Sequence, residues 1–352
     1  ELRELLKVLM HKTRLFLIAP VEHAVALERM CWDMNQKLME VGKKLQCPSA
    51  VGVDFFRRLF HRLHKISSWY DETDFTDVSK YDTSLFDTLL YDVCDFRKSC
   101  LYDQSPANLK RMDNLYRDIV RTNIVLQNGL IVQKFHSNPS GQVNTSTDDT
   151  LILYRLYAYC WLHAGGPNDY DTFMSEARLF LFGDDSIVLK KGDAVRWLSR
   201  SNIQKGFESL GMKVEFAERF EFLGHTMCFS PSLGIYVPVL PTQKILSSLA
   251  LGGKNNVHLT WERACNLRIS AYTNPEAFRI VDGFCHWLRK QFPYLDARIL
   301  VPPNLLRALH TQDDGPALFR ESRKEDSMDD AIQQSTVQCP ICVRRGCSGG
   351  QG

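Results

Sequence analysis

Residues 178 to 191, Arg-Leu-Phe-Leu-Phe-Gly-Asp-Asp-Ser-Ile-Val-Leu-Lys-Lys, set two apolar runs on either side of Gly183-Asp184-Asp185. Each run has the length of a strand, and Gly-Asp between apolar strands is a hairpin signal. Both flanks, Leu179 to Phe182 and Ile187 to Leu189, are expected to be buried, so the turn is rigidly held and two carboxylates project from its tip. Adjacent carboxylates repel, and a hard divalent cation with oxygen ligands is the natural compensation.

Working outward, Asp74 to Ser79 reads as a short strand, and a helix is expected over 83–96 with Leu85, Leu89, Val93 and Phe96 on one face. Residues 150–163 are apolar nearly all round and form a buried helix, stopped by Gly165-Gly166-Pro167. The polar run Ser140 to Asp149 leads into that helix from an Asn138-Pro139-Ser140-Gly141 turn. Thr145 and Asp149 then share one helical face, and such a dense polar surface suits a sugar. Downstream, a helix is expected over 194–210, ending at Gly211, followed by strands over 212–216 and 220–229. Beyond 240 the pattern is helical, with starts at Thr260 and Asn274-Pro275, and the last forty residues read as a mobile tail. Near the start, His11 to Ile18 reads as a strand with Lys12 and Arg14 on one side, two cations suited to polyphosphate. The sum is an α+β core with appended helices.

Composition narrows the class. A chain of 352 residues exceeds one average domain and is expected to pack as two or three subdomains. Its 44% apolar and 24% charged residues exclude disordered, collagen-like and membrane-embedded classes. The longest apolar stretch, Leu151 to Leu162, carries Arg155 and is too short to span a bilayer. Eleven cysteines without a signal peptide read as reduced thiols of a soluble, cytosol-facing protein. A net charge of +2 means that any nucleic-acid contact must come from local segregation of charge. Segregation is present. Residues 55–65 carry Arg57, Arg58, Arg62 and Lys65, no acid, and His61 and His64, which are expected to face solvent or phosphate. Residues 71–95 carry Asp71, Glu72, Asp74, Asp77, Asp82, Asp87, Asp92 and Asp95 against Lys80. No G-x4-G-K-S/T loop is present, which disfavours other phosphate enzymes.

In order and spacing these segments resemble the motifs of the RNA-dependent RNA polymerases of positive-strand RNA viruses, in the picornavirus-like, astrovirus-like and potyvirus-like branches. HKTRLFLIAP (11–20) resembles motif F, DVSKYD (77–82) motif A, and SGQVNTSTDD (140–149) motif B. FGDD (182–185), GMKVEFAERF (211–220) and FEFLGHTM (220–227) resemble motifs C, D and E. The resemblance implies a right-hand fold: a palm with an antiparallel sheet, fingers, and a helical thumb. It divides the chain into fingers over 1–70, palm over 71–100, fingers over 101–139, palm over 140–230, thumb over 231–312 and a disordered tail over 313–352. Because motif F begins so near the N-terminus, the chain is expected to be a truncated polymerase or a piece of a polyprotein.

The resemblance also implies roles. Asp77 and Asp184, with Asp185 nearby, would ligate two Mg²⁺ ions, for which Mn²⁺ can substitute. Lys12 and Arg14 would hold the incoming triphosphate. Asp82 and Thr145 would read the ribose 2′-hydroxyl, and Ser140 and Gly141 would form the loop against the template nucleotide. Leu223, Gly224 and His225 would grip the primer, and Arg57, Arg58, Arg62 and Lys65 would line an RNA groove. Two positions depart from the pattern. Asp149 stands where the family has Asn, adding like charge opposite Asp82 unless one acid keeps its proton or a cation intervenes. Arg219 occupies the place of a general-acid Lys, and since Arg does not readily give up a proton, either Lys213 serves or the acid step is dispensable. Implied partners are an RNA template and primer or product strand, NTPs and other viral replication proteins, in membrane-associated complexes of the host cytoplasm. A reverse transcriptase fits less well, because Asp82 and the Ser140 to Thr145 segment leave no bulky group to exclude a 2′-hydroxyl. A non-catalytic RNA-binding fragment is the other alternative. In the tail, Cys339, Cys342 and Cys347 read as free surface thiols rather than a zinc site, for want of a fourth ligand.

Overall fold

The computed structural model describes residues 17–126, 128–250 and 256–312. Lys12, Arg14 and the tail cysteines Cys339, Cys342 and Cys347 lie outside the described residues.

In chain order the elements are α1 (Val21–Lys43), α2 (Leu59–Ser67), β1 (Glu72–Ser79), α3 (Tyr81–Ser84), α4 (Asp87–Ser99) and α5 (Pro106–Val120). The hairpin β2 (Asn123–Val125) and β3 (Ile131–Gln133) precedes α6 (Thr145–His163), α7 (Tyr170–Glu176), β4 (Ala177–Phe182) and β5 (Asp185–Lys190). Next come α8 (Ala194–Trp197), α9 (Arg200–Ser209), β6 (Lys213–Ala217), β7 (Glu221–Phe222), β8 (His225–Ser230) and β9 (Ile235–Val239). Four helices finish the described chain: α10 (Thr242–Ala250), α11 (Val257–Ala271), α12 (Pro275–Gln291) and α13 (Pro303–Thr311).

The α+β expectation holds, and its centre is an antiparallel sheet of order β4-β5-β1-β6. Both faces of this sheet are covered, which is why β4 and β5 read as continuous apolar runs rather than as alternating ones. On one face Val78, Leu179, Leu181 and Val188 pack with α4, α5, α6 and α9 in the largest core cluster. On the other face Phe180, Ile187 and Leu189 pack against Leu59, Phe60 and Leu63 of α2 and Phe222 of β7. A separate cluster, built on Trp261, Val281 and Cys285, joins α10, α11 and α12.

Four expected elements differ from those observed. The helix expected over 83–96 is interrupted at Leu85-Phe86, both extended, because the Leu85 carbonyl accepts the Ser137 N–H at 2.7 Å. The helix expected over 194–210 breaks at Leu198-Ser199. The Leu198 carbonyl accepts buried Lys190 Nζ at 3.2 Å, and the Ser199 hydroxyl caps α9. Residues 220–229 form two strands, since Leu223 and Gly224 both have positive φ and make a tight two-residue turn. Thr260 lies inside α11, whose cap is Asn256, its side chain accepting from His258 N and Leu259 N. The Asn274-Pro275 start is as expected, with Asn274 capping Ala277 N. Strand β9 had no reading in the sequence.

Candidate active site

The acids of the two candidate metal segments meet at one end of the central sheet. Thr76 of β1 is paired with Ser186 of β5, so one step further Asp77 stands abreast of Asp185. Strand alternation puts both on the face that α2 covers elsewhere, and Asp77 is solvent-exposed there. Asp184 occupies the second position of a two-residue turn closed by the Phe182 and Asp185 pair, with Gly183 at φ 61 in the first. Thr150 Oγ1 of α6 accepts the Gly183 N–H at 2.9 Å, tying the turn to the buried helix. Burial first, then the charges of Asp184, Asp77 and Glu221, push the Asp185 carboxyl up to about 7, against a hydrogen bond from the Leu223 backbone. Behind the acids, Thr76, Tyr157 and Ser186 form a buried hydroxyl triangle that locks β1, β5 and α6 together.

The polar run 138–149 folds against the residues that follow Asp77. Asn138 N donates to the Asp82 carbonyl at 2.8 Å, and Ser140 Oγ donates to Asp82 Oδ2 at 2.5 Å. Gly141 bridges Ile18 and sits against the Leu17 carbonyl, where a Cβ would overlap the oxygen. Thr145 Oγ1 donates inside its own loop, to the Pro139 and Gln142 carbonyls at 2.8 and 2.9 Å. Asp149 is 3% exposed and accepts Asn138 Nδ2 at 2.8 Å. Burial, then the charges of Asp82, Asp148 and Asp184, hold its carboxyl well above the ordinary range, opposed by the Asn138 bond. Burial thus biases Asp149 towards its protonated form, which lessens the like charge expected opposite Asp82.

Sequence reasoning missed the layer beneath this loop. Asp148, fully buried, takes Arg97 Nε and Nη2 on Oδ1 at 2.8 and 2.6 Å, and Tyr116 OH on Oδ2 at 2.9 Å. Arg97 Nη1 reaches Asn35 Oδ1 at 3.0 Å, and Asn35 Nδ2 donates to Asn144 Oδ1 at 2.8 Å. Gln142 Nε2 donates to Asn138 Oδ1 at 3.0 Å and lies 3.3 Å from Asp148 Oδ2. Its Oε1 accepts the Asn144 N–H. Helices α1, α4 and α5 thus hold the loop through polar side chains. The available signal was the Asp148-Asp149 pair at the head of a helix otherwise fit only for burial.

The remaining candidates stand on or just after β6, in the β7–β8 turn, and in or just before α2. Lys213 opens β6 opposite Ser79, exposed and paired with Glu215 at 2.8 Å, while Arg219 is exposed in the bend after β6. Leu223 and Gly224 form the β7–β8 turn, with the His225 ring stacked on Phe55 at 4.7 Å. Of the basic stretch, Lys65 is exposed, while Arg57, Arg58 and Arg62 are half-buried and Arg57 is paired with Asp54. His61 and His64, expected to face solvent or phosphate, pack against Tyr236 instead, because β9 lies against α2.

Among the described residues no group of three or more His, Cys, Asp or Glu forms a metal cage. Mg²⁺ does not ask for one, since it binds through one or two carboxylates together with waters and substrate phosphates. Asp77 and Asp184, with Asp185 beside them, are all-oxygen donors whose mutual repulsion a dication would relieve, so the residues present fit such an ion.

The family described as viral RNA-dependent RNA polymerase matches residues 1–279. The genome polyprotein of soybean mosaic virus (strain N) is 29% identical over 297 residues, covering 82% of this chain and 9% of the polyprotein. That of plum pox potyvirus (strain Rankovic) is 30% identical over 304 residues, covering 84% and 9%. The chain thus spans about a tenth of the length of these relatives. Among solved structures, a Sicinivirus 3Dpol RNA-dependent RNA polymerase superposes with a TM-score of 0.55 at 17% identity, covering 72% of this chain and 55% of that one. That likeness shows the fold, a right-hand polymerase with an antiparallel sheet at its centre.

Proposed function

The chain belongs to the viral RNA-dependent RNA polymerase family, and from that premise we propose that it extends RNA on an RNA template in viral genome replication. The observation that carries the reading is the meeting of Asp77 with Asp184 and Asp185 at the open end of one sheet, beside a polar loop bonded to Asp82. In the reaction the 3′-oxygen of the growing strand bonds to the α-phosphorus of an NTP, the bridge to the β-phosphate breaks, and pyrophosphate leaves.

Asp77 and Asp184 would hold two Mg²⁺ ions, or Mn²⁺ in their place, with Asp185 completing the cluster. When bound, these ions supply acidification of the 3′-hydroxyl and charge neutralisation on the triphosphate. Asp82, Ser140, Gly141, Thr145 and Asp149 form the sugar and template side of the pocket. Lys12 and Arg14 bind the triphosphate as cations. Lys213 is the group able to give a proton to departing pyrophosphate, and Arg219, permanently charged, binds anions. RNA runs past Lys65 and the Arg57, Arg58 and Arg62 segment towards the Leu223, Gly224 and His225 turn, held through its phosphates. Other viral proteins at replication complexes on host cytoplasmic membranes are the proposed setting. No helix among the described residues is long and apolar enough to cross a membrane.

The test is incorporation of labelled NTP on a primed RNA template with Mg²⁺ or Mn²⁺, run for this chain and for Asp184→Asn. Template-dependent extension that the substitution abolishes is the expected outcome. Extension preferring dNTP would instead favour a reverse transcriptase. RNA binding with no extension under either metal would favour a non-catalytic fragment.

A further inference from the structure

Asp149 puts a carboxyl where the family pattern has a carboxamide, and the fold supplies a carboxamide from eleven residues earlier. Asn138 is 2% exposed and hydrogen-bonded through both its side chain and its backbone. Its Nδ2 donates to Asp149 Oδ1 at 2.8 Å, its Oδ1 accepts Gln142 Nε2 at 3.0 Å, and its backbone N–H donates to the Asp82 carbonyl at 2.8 Å. One residue therefore touches both Asp82 and Asp149. Behind it, Gln142 is fixed by the Arg97 and Asp148 pair, so the direction of the Asn138 amide is set from the core. Among the described residues Asn138 is the sole side-chain donor to the Asp149 carboxyl, while Tyr81 OH donates to the Asp149 backbone carbonyl at 2.9 Å. A buried carboxyl with one neutral donor and acids around it is biased towards its protonated form, whose O–H can donate much as an amide N–H does.

We infer that Asn138 is a positioning residue for ribose recognition, forming with Asp149 a carboxamide–carboxyl pair that takes the place of a single Asn at position 149. The inference rests on the polymerase reading, because it is the ribose of an incoming nucleotide that the pair would sort. A purely structural role would make loss of Asn138 weaken all nucleotides alike. A positioning role makes it weaken ribonucleotides selectively, and exchange of the two groups should restore the preference that loss of the Asn138 amide removes.

The experiment measures binding of ATP and of 2′-deoxyATP, with Mg²⁺, to the full chain on an RNA template whose primer ends in a 3′-deoxynucleotide. No chemistry is then required, and extension on an unblocked primer is recorded separately, so failure of the polymerase reading appears in that arm alone. The preference for ATP should fall about tenfold in Asn138→Ala, the worth of one buried hydrogen bond to a polar group. In the exchanged double variant, Asn138→Asp with Asp149→Asn, it should return to within about threefold of the starting chain. Asp149→Asn alone keeps an amide partner for Asn138, so it should melt near the parent temperature and keep its preference even if Asn138→Ala does not fold. Equal weakening of both nucleotides in Asn138→Ala would overturn the inference. So would a parent chain without sugar preference, or loss of preference in Asp149→Asn with its fold intact.

Discussion

Two glycines of the site are glycines for different reasons, and substitution separates them. Gly183 has φ 61 and nothing within 4 Å of where a Cβ would stand, so its requirement is conformational. Gly141 lies against the Leu17 carbonyl, so its requirement is space. Gly183→Ala should cost about 1 kcal/mol of unfolding free energy, and Gly183→Asn, which tolerates the left-handed region, should recover much of it. Gly141→Ala should cost about 1–3 kcal/mol and displace the loop, raising the KM for NTP at least tenfold, with Gly141→Asn worse rather than better. Urea unfolding and steady-state incorporation on the four variants check both statements. Recovery by Asn at 141 would remove the steric argument. The Gly183 requirement was legible in the sequence because a hairpin turn is local. That of Gly141 was not, since its obstacle lies more than a hundred residues away in the chain.

Between elements, one fully buried polar tie is the Arg97 and Asp148 pair, which joins α4 to α6. Arg97→Met should cost about 3–5 kcal/mol, because it leaves a buried carboxylate with only Tyr116 and Gln142. The double change Arg97→Met with Asp148→Leu should recover most of that loss, and a double-mutant cycle by chemical denaturation measures the coupling. A second tie is the docking of α13. His310 is buried between Tyr272 and Phe56, its Nε2 has no hydrogen-bond partner among the described residues, and Arg57 N donates to the Leu309 carbonyl. Burial pulls the His310 imidazole down to about 4, with Asp54 opposing. The unfolded chain, with its ordinary histidine value near 6.5, therefore takes up the proton first as pH falls. Stability from this group is complete above about pH 6.5 and is lost as pH falls towards 4, by up to about 3 kcal/mol. His310→Phe should flatten that acid limb in thermal melts between pH 4 and 7. An unchanged slope would mean that the histidine titrates normally. Hydrophobic period and turn residues marked β1, β4, β5, β6 and α6 well. They failed at Leu85-Phe86 and Leu198-Ser199, where a helix yields to a carbonyl claimed by the distant Ser137 backbone or by the buried Lys190 side chain of β5, and neither claimant belongs to the helix.

Over the whole molecule, the order of motifs was readable because each motif is a short segment with its own turn or strand chemistry. The sheet order β4-β5-β1-β6, the strand β9 and the polar layer under Gln142 were not, because they are made by pairings distant in sequence. The same distinction governs how the chain should meet RNA. With 43 Lys and Arg against 41 Asp and Glu, no general field draws a polyanion, so binding depends on cations free to release their counterions on contact. The basic stretch looks uniform in the sequence, yet its members differ: Lys65 is exposed, whereas Arg57 is half-buried and already holds Asp54 at 3.1 Å. An arginine with a carboxylate partner has little counterion to give up when a phosphate arrives. Measured on single-stranded RNA between about 50 and 200 mM salt, the logarithm of the affinity should fall linearly with the logarithm of salt concentration. Lys65→Ala should flatten that line by about 0.7, the worth of one phosphate contact on a single strand. Arg57→Ala should change it by clearly less and act instead through stability. A flat line for the unaltered chain would remove phosphate contact as the basis of binding, and equal slopes for the two variants would show that Asp54 gives Arg57 up when RNA arrives.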